Sequence, residues 1–177
     1  MIAVISVDKN WAISANCAYV QKIKLSLKNF KELTTNKVVV MDKEMLELLP
    51  KKEALKNRIN ICYCEDKEYK KEGFLIANTK DQLFELLSFY NGENVFLIGS
   101  DKLYKDILPY CQKIIVSKFD GDIKTSGILV NLDKEENWKL INASEPIYED
   151  KTMFYVCEYK NLFPQKYNYG YEKEDIV

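Results

Sequence analysis

The 177-residue sequence contains no histidine, so a metal site would have to be assembled without imidazole. Its five cysteines are an odd number in a chain of this length, which argues against a disulfide framework and suits a reducing compartment. No apolar run approaches the ~18 residues needed to cross a bilayer, and the apolar start Met1 to Val7 reaches Asp8 too soon for a signal peptide. Neither sign of charge is in excess. With 26 basic residues against 27 acidic ones there is no basic field to gather nucleic acid. Internal repeats are absent, and no exposed heptad or apolar stripe demands a partner. These absences predict a soluble, cytoplasmic protein that is a monomer by default, with no membrane or nucleic-acid partner.

What is present is one sizeable core: 47% apolar and 12% aromatic residues in a length that fits a single domain. Residues 1 to 8 read as a buried strand and Trp11 to Lys22 as a loop. From Ile23 to Leu33 the apolar positions Ile23, Leu27, Phe30 and Leu33 recur every three or four residues, which predicts one helix face closing over a core or a pocket. Lys37 to Met41 is a β-branched run suited to a strand buried on both sides. Asp42 then precedes a short helix through Met45, Leu46 and Leu49, stopped by Pro50. Strands follow at Arg58 to Cys64 and Gly73 to Ala77, separated by a charged loop. A helix opens with Thr79 or Asp81 as cap. Val95 to Ile98 is a further strand, and Gly99-Ser100 leads into a helix carrying Leu103, Tyr104 and Ile107.

Ile114 to Phe119 is the next strand. Trp138 to Ala143 and Met153 to Tyr159 predict an antiparallel pair turning around Glu149-Asp150-Lys151. Strands alternating with helices and closing on a hairpin imply an α/β fold, a mixed and mostly parallel sheet with helices on both faces. Cys62 and Cys64 fall on one face of their strand, where they pack the core or, with two further ligands, hold a metal. Residues 161 to 177 form a Tyr-rich tail after a domain spanning 1 to 160. It is either frayed or anchored, on its own domain or on the partner in a dimer.

The run Ile23 to Met41, an amphipathic helix feeding into an apolar strand, resembles the substrate-binding helix and following strand of dihydrofolate reductases. The similarity extends over residues 1 to 160. It implies the three-layer fold of that family and reduction of 7,8-dihydrofolate with NADPH. Under this resemblance Val4, Ile5, Leu27, Phe30, Leu49 and Leu55 match the pterin-contacting strand and the apolar folate walls. Arg58, in Leu55-Lys56-Asn57-Arg58, matches the arginine that grips the folate glutamate carboxylate, and Ser117 stands where a Thr usually bonds the acid and the pterin. Val95 to Tyr104 resembles the strand, glycine pair and helix that receive the cofactor pyrophosphate. Cofactor positions implied in this way are Ser6, Ile13, Lys43, Met45, Cys64, Ile98, Gly99, Ser100, Lys102, Leu103 and Tyr104.

The departures from the family pattern gather on the chemistry. Ser26 stands where the family has the Asp or Glu of the first helical turn, the ionisable group that touches the pterin. Gly, Arg and Thr after the apolar strand are Asp42, Lys43 and Met45 here, the Arg and Thr being the family's partners for the 2′-phosphate and the pyrophosphate. Ser100 replaces the second glycine. Gln21 stands for a Trp that helps to hold a water by the substrate, Ile13-Ser14 for Ile-Gly, Val20 and Lys24 for two prolines, and Lys124-Thr125-Ser126 for Gly-Asp-Thr. Three readings stay open: a reductase slowed by loss of its acid, a non-catalytic binding or regulatory member, and a reductase of another heterocycle such as a pyrimidine of the riboflavin route.

Overall fold

The computed structural model describes residues 1–13, 24–122, 127–149 and 152–167, with the backbone alone at residues 24–26. Its strands are β1 (Ile2–Asp8), β2 (Ala12–Ile13), β3 (Val38–Asp42), β4 (Ile59–Tyr63), β5 (Leu75–Ala77), β6 (Val95–Leu97), β7 (Lys113–Phe119), β8 (Gly127–Ile128), β9 (Trp138–Ala143), β10 (Ile147–Glu149) and β11 (Thr152–Asn161). The helices are α1 (Lys24–Thr34), α2 (Lys43–Leu48), α3 (Lys80–Leu87) and α4 (Asp101–Ile107). The strands form one mixed sheet in the order β10-β11-β7-β1-β6-β3-β4-β5. From β7 to β5 every neighbouring pair is parallel, and β11 runs antiparallel to β7, β9 and β10.

The two-residue alternation of a strand decides what lies on each face. Val38 and Val40 of β3 join one apolar cluster with Ala3, Ile5, Val7, Leu83 of α3 and Leu103 and Ile107 of α4. Val39 and Met41 join a second cluster with Leu46 of α2 and, at its margin, Phe30 of α1. Helices α3 and α4 thus cover one face while α1 and α2 cover the other. This agrees with the α/β architecture that the alternation of strands and helices implies.

Several local expectations are refined. Trp11 to Lys22 contains a short strand, β2, which pairs with β1 and β8. Two residues are too few to show a period. Trp138 to Ala143 does pair with β11, but the strand paired with β11 at Glu149 and Thr152 is β10. Thr79 and not Asp81 caps α3, its hydroxyl accepting from the Gln82 N–H at 3.2 Å. The described part of the tail is tied down: Leu162 N–H donates to the Asn137 carbonyl and Gln165 N–H to the Pro109 carbonyl. The Tyr167 ring stacks on Phe84 with centroids 4.2 Å apart, and its hydroxyl bonds Asp81.

No helix among the described residues is long and apolar enough to cross a membrane. Cys62, Cys64, Cys111 and Cys157 are buried free thiols. Cys62 and Cys64 pack in the second cluster, and burial pushes the Cys62 thiol up to about 12, so it stays protonated at neutral pH.

Candidate active site at the carboxyl edge of the sheet

In an open α/β sheet, side chains and helix starts converge at the carboxyl ends of the parallel strands. Here β3 and β6 are direct neighbours, with Val40 opposite Leu97 and the Ile98 N–H donating to the Val40 carbonyl at 2.9 Å. The residues that follow them, Asp42 and Gly99-Ser100, therefore face one another. One carboxylate oxygen of Asp42 accepts from the Met45 N–H at 2.8 Å, capping α2. Its second oxygen accepts from the Ser100 N–H at 3.0 Å and from the Ser100 hydroxyl.

Gly99 is required by close approach. A Cβ there would lie 2.5 Å from Leu103 Cδ2 and 3.4 Å from Asp42 Cγ. Beneath this turn the buried Tyr104 hydroxyl accepts from the Gly99 N–H at 3.2 Å and donates to the Val4 carbonyl at 2.7 Å. It thereby straps β1 to the β6–α4 connection. Burial raises the Tyr104 phenol far above its ordinary range, so it acts only as a neutral hydrogen-bonding group.

Val4, Phe30, Leu49 and Leu55, four of the predicted substrate walls, meet in the second apolar cluster together with Met45, Cys64 and Ile98 from the cofactor set. Ile5 points the other way. It is buried in the first cluster with Ile13, Leu103 and Tyr104, so the strand alternation leaves only its backbone to face this side of the sheet. Leu27 is 44% exposed and stands outside the packed core. Ser6 and Ser117 are half-buried partners in register on β1 and β7.

Arg58 lies beside this wall, its guanidinium carbon 5.9 Å from the Phe30 ring centre. Its Nε donates to the Thr34 hydroxyl at 2.8 Å, and its terminal nitrogens to the Lys56 carbonyl at 2.8 Å and the Lys31 carbonyl at 3.3 Å. A guanidinium has five N–H groups. One N–H on each terminal nitrogen is therefore still unused among the described residues. Partial burial draws the Arg58 pKa down, yet a guanidinium stays charged at neutral pH.

The predicted basic groups are already engaged. Lys43 Nζ sits 3.4 Å from Asp66 and 4.4 Å from the centre of the Tyr69 ring, and Lys102 Nζ lies 3.5 Å from Glu65. The pairings of Arg58 with Thr34, Lys43 with Asp66 and Asp42 with Ser100 carried no signal in the sequence, because each joins separate elements. Asp42 as the α2 cap was legible from its place before the helix. Ser26 stands in the first turn of α1, and that turn contains no acidic residue. Its side chain lies outside the described residues, as do Gln21, Ser14, Val20 and residues 124 to 126.

Comparison with known proteins gives the same answer by an independent route. Residues 1–162 match the family model described as dihydrofolate reductase. The dihydrofolate reductase of Staphylococcus haemolyticus is 28% identical over 151 residues, covering 83% of this chain and 80% of the relative. That of Buchnera aphidicola subsp. Acyrthosiphon pisum is 29% identical over 167 residues, covering 91% and 93%. Among solved structures, the Enterococcus faecalis dihydrofolate reductase complexed with NADP(H) and RAB-propyl superposes with a TM-score of 0.78 at 19% identity, over 90% of this chain and 95% of that one. With a family model that matches residues 1–162 of its 177, this chain belongs to the dihydrofolate reductase family.

Proposed function

We propose that the protein reduces 7,8-dihydrofolate to tetrahydrofolate with NADPH, at a rate held low by the absence of a carboxylate in the first turn of α1. The observation that carries the substrate half is Arg58. Three protein acceptors orient its fork beside Phe30 and Leu55, and the two N–H groups left over suit the planar, bidentate geometry of a carboxylate. A molecule with an apolar body and a carboxylate tail, as folates have, matches that combination.

The residues present fit the two ends of the cofactor unequally. Ile98, packed with the apolar wall, adds a surface suited to a flat ring. The pyrophosphate end does not fit as the chain stands, because Asp42 holds the N–H groups of Met45 and Ser100. When bound, a reduced nicotinamide supplies the hydride that dihydrofolate needs at C6. The rest falls to this chain's own residues. The wall of Val4, Phe30, Leu49 and Leu55 excludes water from the ring, and Arg58 fixes the tail. Ser26 offers a hydrogen bond without a charge, so the proton for N5 comes from solvent.

General acid-base assistance is worth ~10²–10⁴-fold in rate, which sets the size of the deficit. The test is NADPH-dependent dihydrofolate reduction by the natural chain and by Ser26→Asp. The natural chain should run slowly and faster at about pH 5.5 than at about pH 7.5, and Ser26→Asp should gain roughly one hundredfold at neutral pH. No turnover in either protein would overturn the reading. In that event the Asp42 contacts favour the second one, a non-catalytic member that keeps the folate wall as a binding module. The reading takes the protein to be a cytoplasmic monomer, in keeping with its balanced charge and buried free thiols.

A further inference from the structure

We infer that Asp42 is a built-in substitute for a bound phosphate, and that it is the residue by which this chain discriminates against dinucleotides. The inference rests on NADPH being the cofactor of the family and goes beyond it by naming what sets the affinity. Both oxygens of the Asp42 carboxylate are spent: one on the Met45 N–H at 2.8 Å, the other on the Ser100 N–H at 3.0 Å and the Ser100 hydroxyl. These donors belong to the starts of α2 and α4 and are the ones an incoming phosphate would need. The space over Gly99 is filled chiefly by Leu103, Cδ2 2.5 Å from where a side chain at that position would begin, with Asp42 Cγ at 3.4 Å. The bare backbone that a ligand would approach is therefore covered.

The flanking cation is compensated as well. Lys43, one residue further on, is 3.4 Å from Asp66 and over the Tyr69 ring, a half-exposed pairing that competes weakly with an external anion. A carboxylate tethered to the same chain loses no translational freedom on entering the cradle, whereas a free ligand does. A phosphate arriving here must displace Asp42, leave its charge close by, and draw Lys43 from its partner. The first two steps oppose binding most, and both trace to Asp42, which stands where the family pattern has Gly. Ser100 completes the arrangement, since its hydroxyl adds a third donor to the same carboxylate oxygen pair.

The experiment is titration of NADPH, followed by its fluorescence, into the natural chain, Asp42→Asn, Asp42→Gly and Ser100→Ala. Asp42→Asn keeps a capping oxygen for α2 and serves as the check should Asp42→Gly fail to fold. Thermal melts establish that each variant is native. The expected result is a weak natural complex, a gain of about tenfold or more for both Asp42 variants, and a smaller gain for Ser100→Ala. Folded Asp42 variants that bind NADPH no better than the natural chain would overturn the inference while leaving the reductase reading intact. Should no protein take up NADPH, inorganic pyrophosphate decides. Uptake by Asp42→Asn but not by the natural chain upholds the inference and removes the NADPH reading, and uptake by neither overturns both.

Discussion

Arg58 is the chain's single arginine, and its geometry separates two roles that a charge alone would not. A lysine at this position would keep the positive charge but lose the fork, together with the bonds to Thr34 and to the Lys31 and Lys56 carbonyls. Arg58→Lys should therefore raise the KM for dihydrofolate about tenfold or more with little change in kcat, as expected when an interaction made equally in ground and transition states is removed. A pterin lacking the glutamate tail should show no difference between the two proteins. A uniform loss with both substrates would place Arg58 in the fold and not in recognition. At this scale the sequence was partly legible. Phe30 stood out by its spacing, Arg58 by the resemblance of its segment to the family's, and Asp42 by its place before a helix. The partners Thr34, Asp66 and Ser100 did not, since Asp42 and Ser100 are 58 positions apart and only the parallel pairing of β3 with β6 joins them.

Among the elements, the C-terminal segment shows the clearest link between packing and stability. Tyr167 stacks on Phe84 of α3 and meets the Tyr110 ring edge-on at 5.8 Å, while Phe84 and Tyr110 contact each other at 4.8 Å. The same corner holds Lys80, which pairs with Asp106 of α4 and lies 5.7 Å from the Tyr110 ring centre. Aromatic pairs of this kind contribute ~0.5–1.5 kcal/mol beyond their burial. Tyr167→Ala should thus lower stability by about 1–2 kcal/mol in urea unfolding without altering ligand affinity. An unchanged midpoint would mean that the stacked ring contributes nothing. Long periodic elements such as β3 and α3 could be read from apolar spacing. Strands β2, β8 and β10 could not, because so few residues, without the continuous apolar run that marks β6, form a strand only where a neighbour already stands. Four aromatic residues in a tail announced an anchor or a frayed end equally well until the ring partner was known.

For the molecule as a whole, acid should erode stability, since two carboxylates are held in ionised form by the antiparallel half of the sheet. Burial pushes Asp133 up, but hydrogen bonds from Lys118 at 2.8 Å and the Tyr159 hydroxyl at 2.6 Å outweigh it and leave its pKa lowered. Glu158 is lowered chiefly by its hydrogen bond from Lys113 at 2.8 Å. A folded-state pKa below the unfolded one means stability present above about pH 4 and lost as pH falls through the depressed values. Unfolding midpoints should decline on acidification below that point, and the double variant Asp133→Asn with Glu158→Gln should show a shallower decline. Equal slopes would assign the acid sensitivity to other groups.

The position of β1 has a consequence for biosynthesis. Strand β1 lies inside the sheet, hydrogen-bonded to Phe96 and Leu97 on one side and to residues from Lys113 to Phe119 on the other, all far later in the chain. A nascent chain must therefore carry this apolar strand without its parallel neighbours until residues 95 to 119 have emerged, and contacts of such long range close slowly. Pulsed hydrogen exchange during refolding should find Ala3 to Val7 among the last amides to gain protection, and a chaperone that shields extended apolar segments should raise the yield.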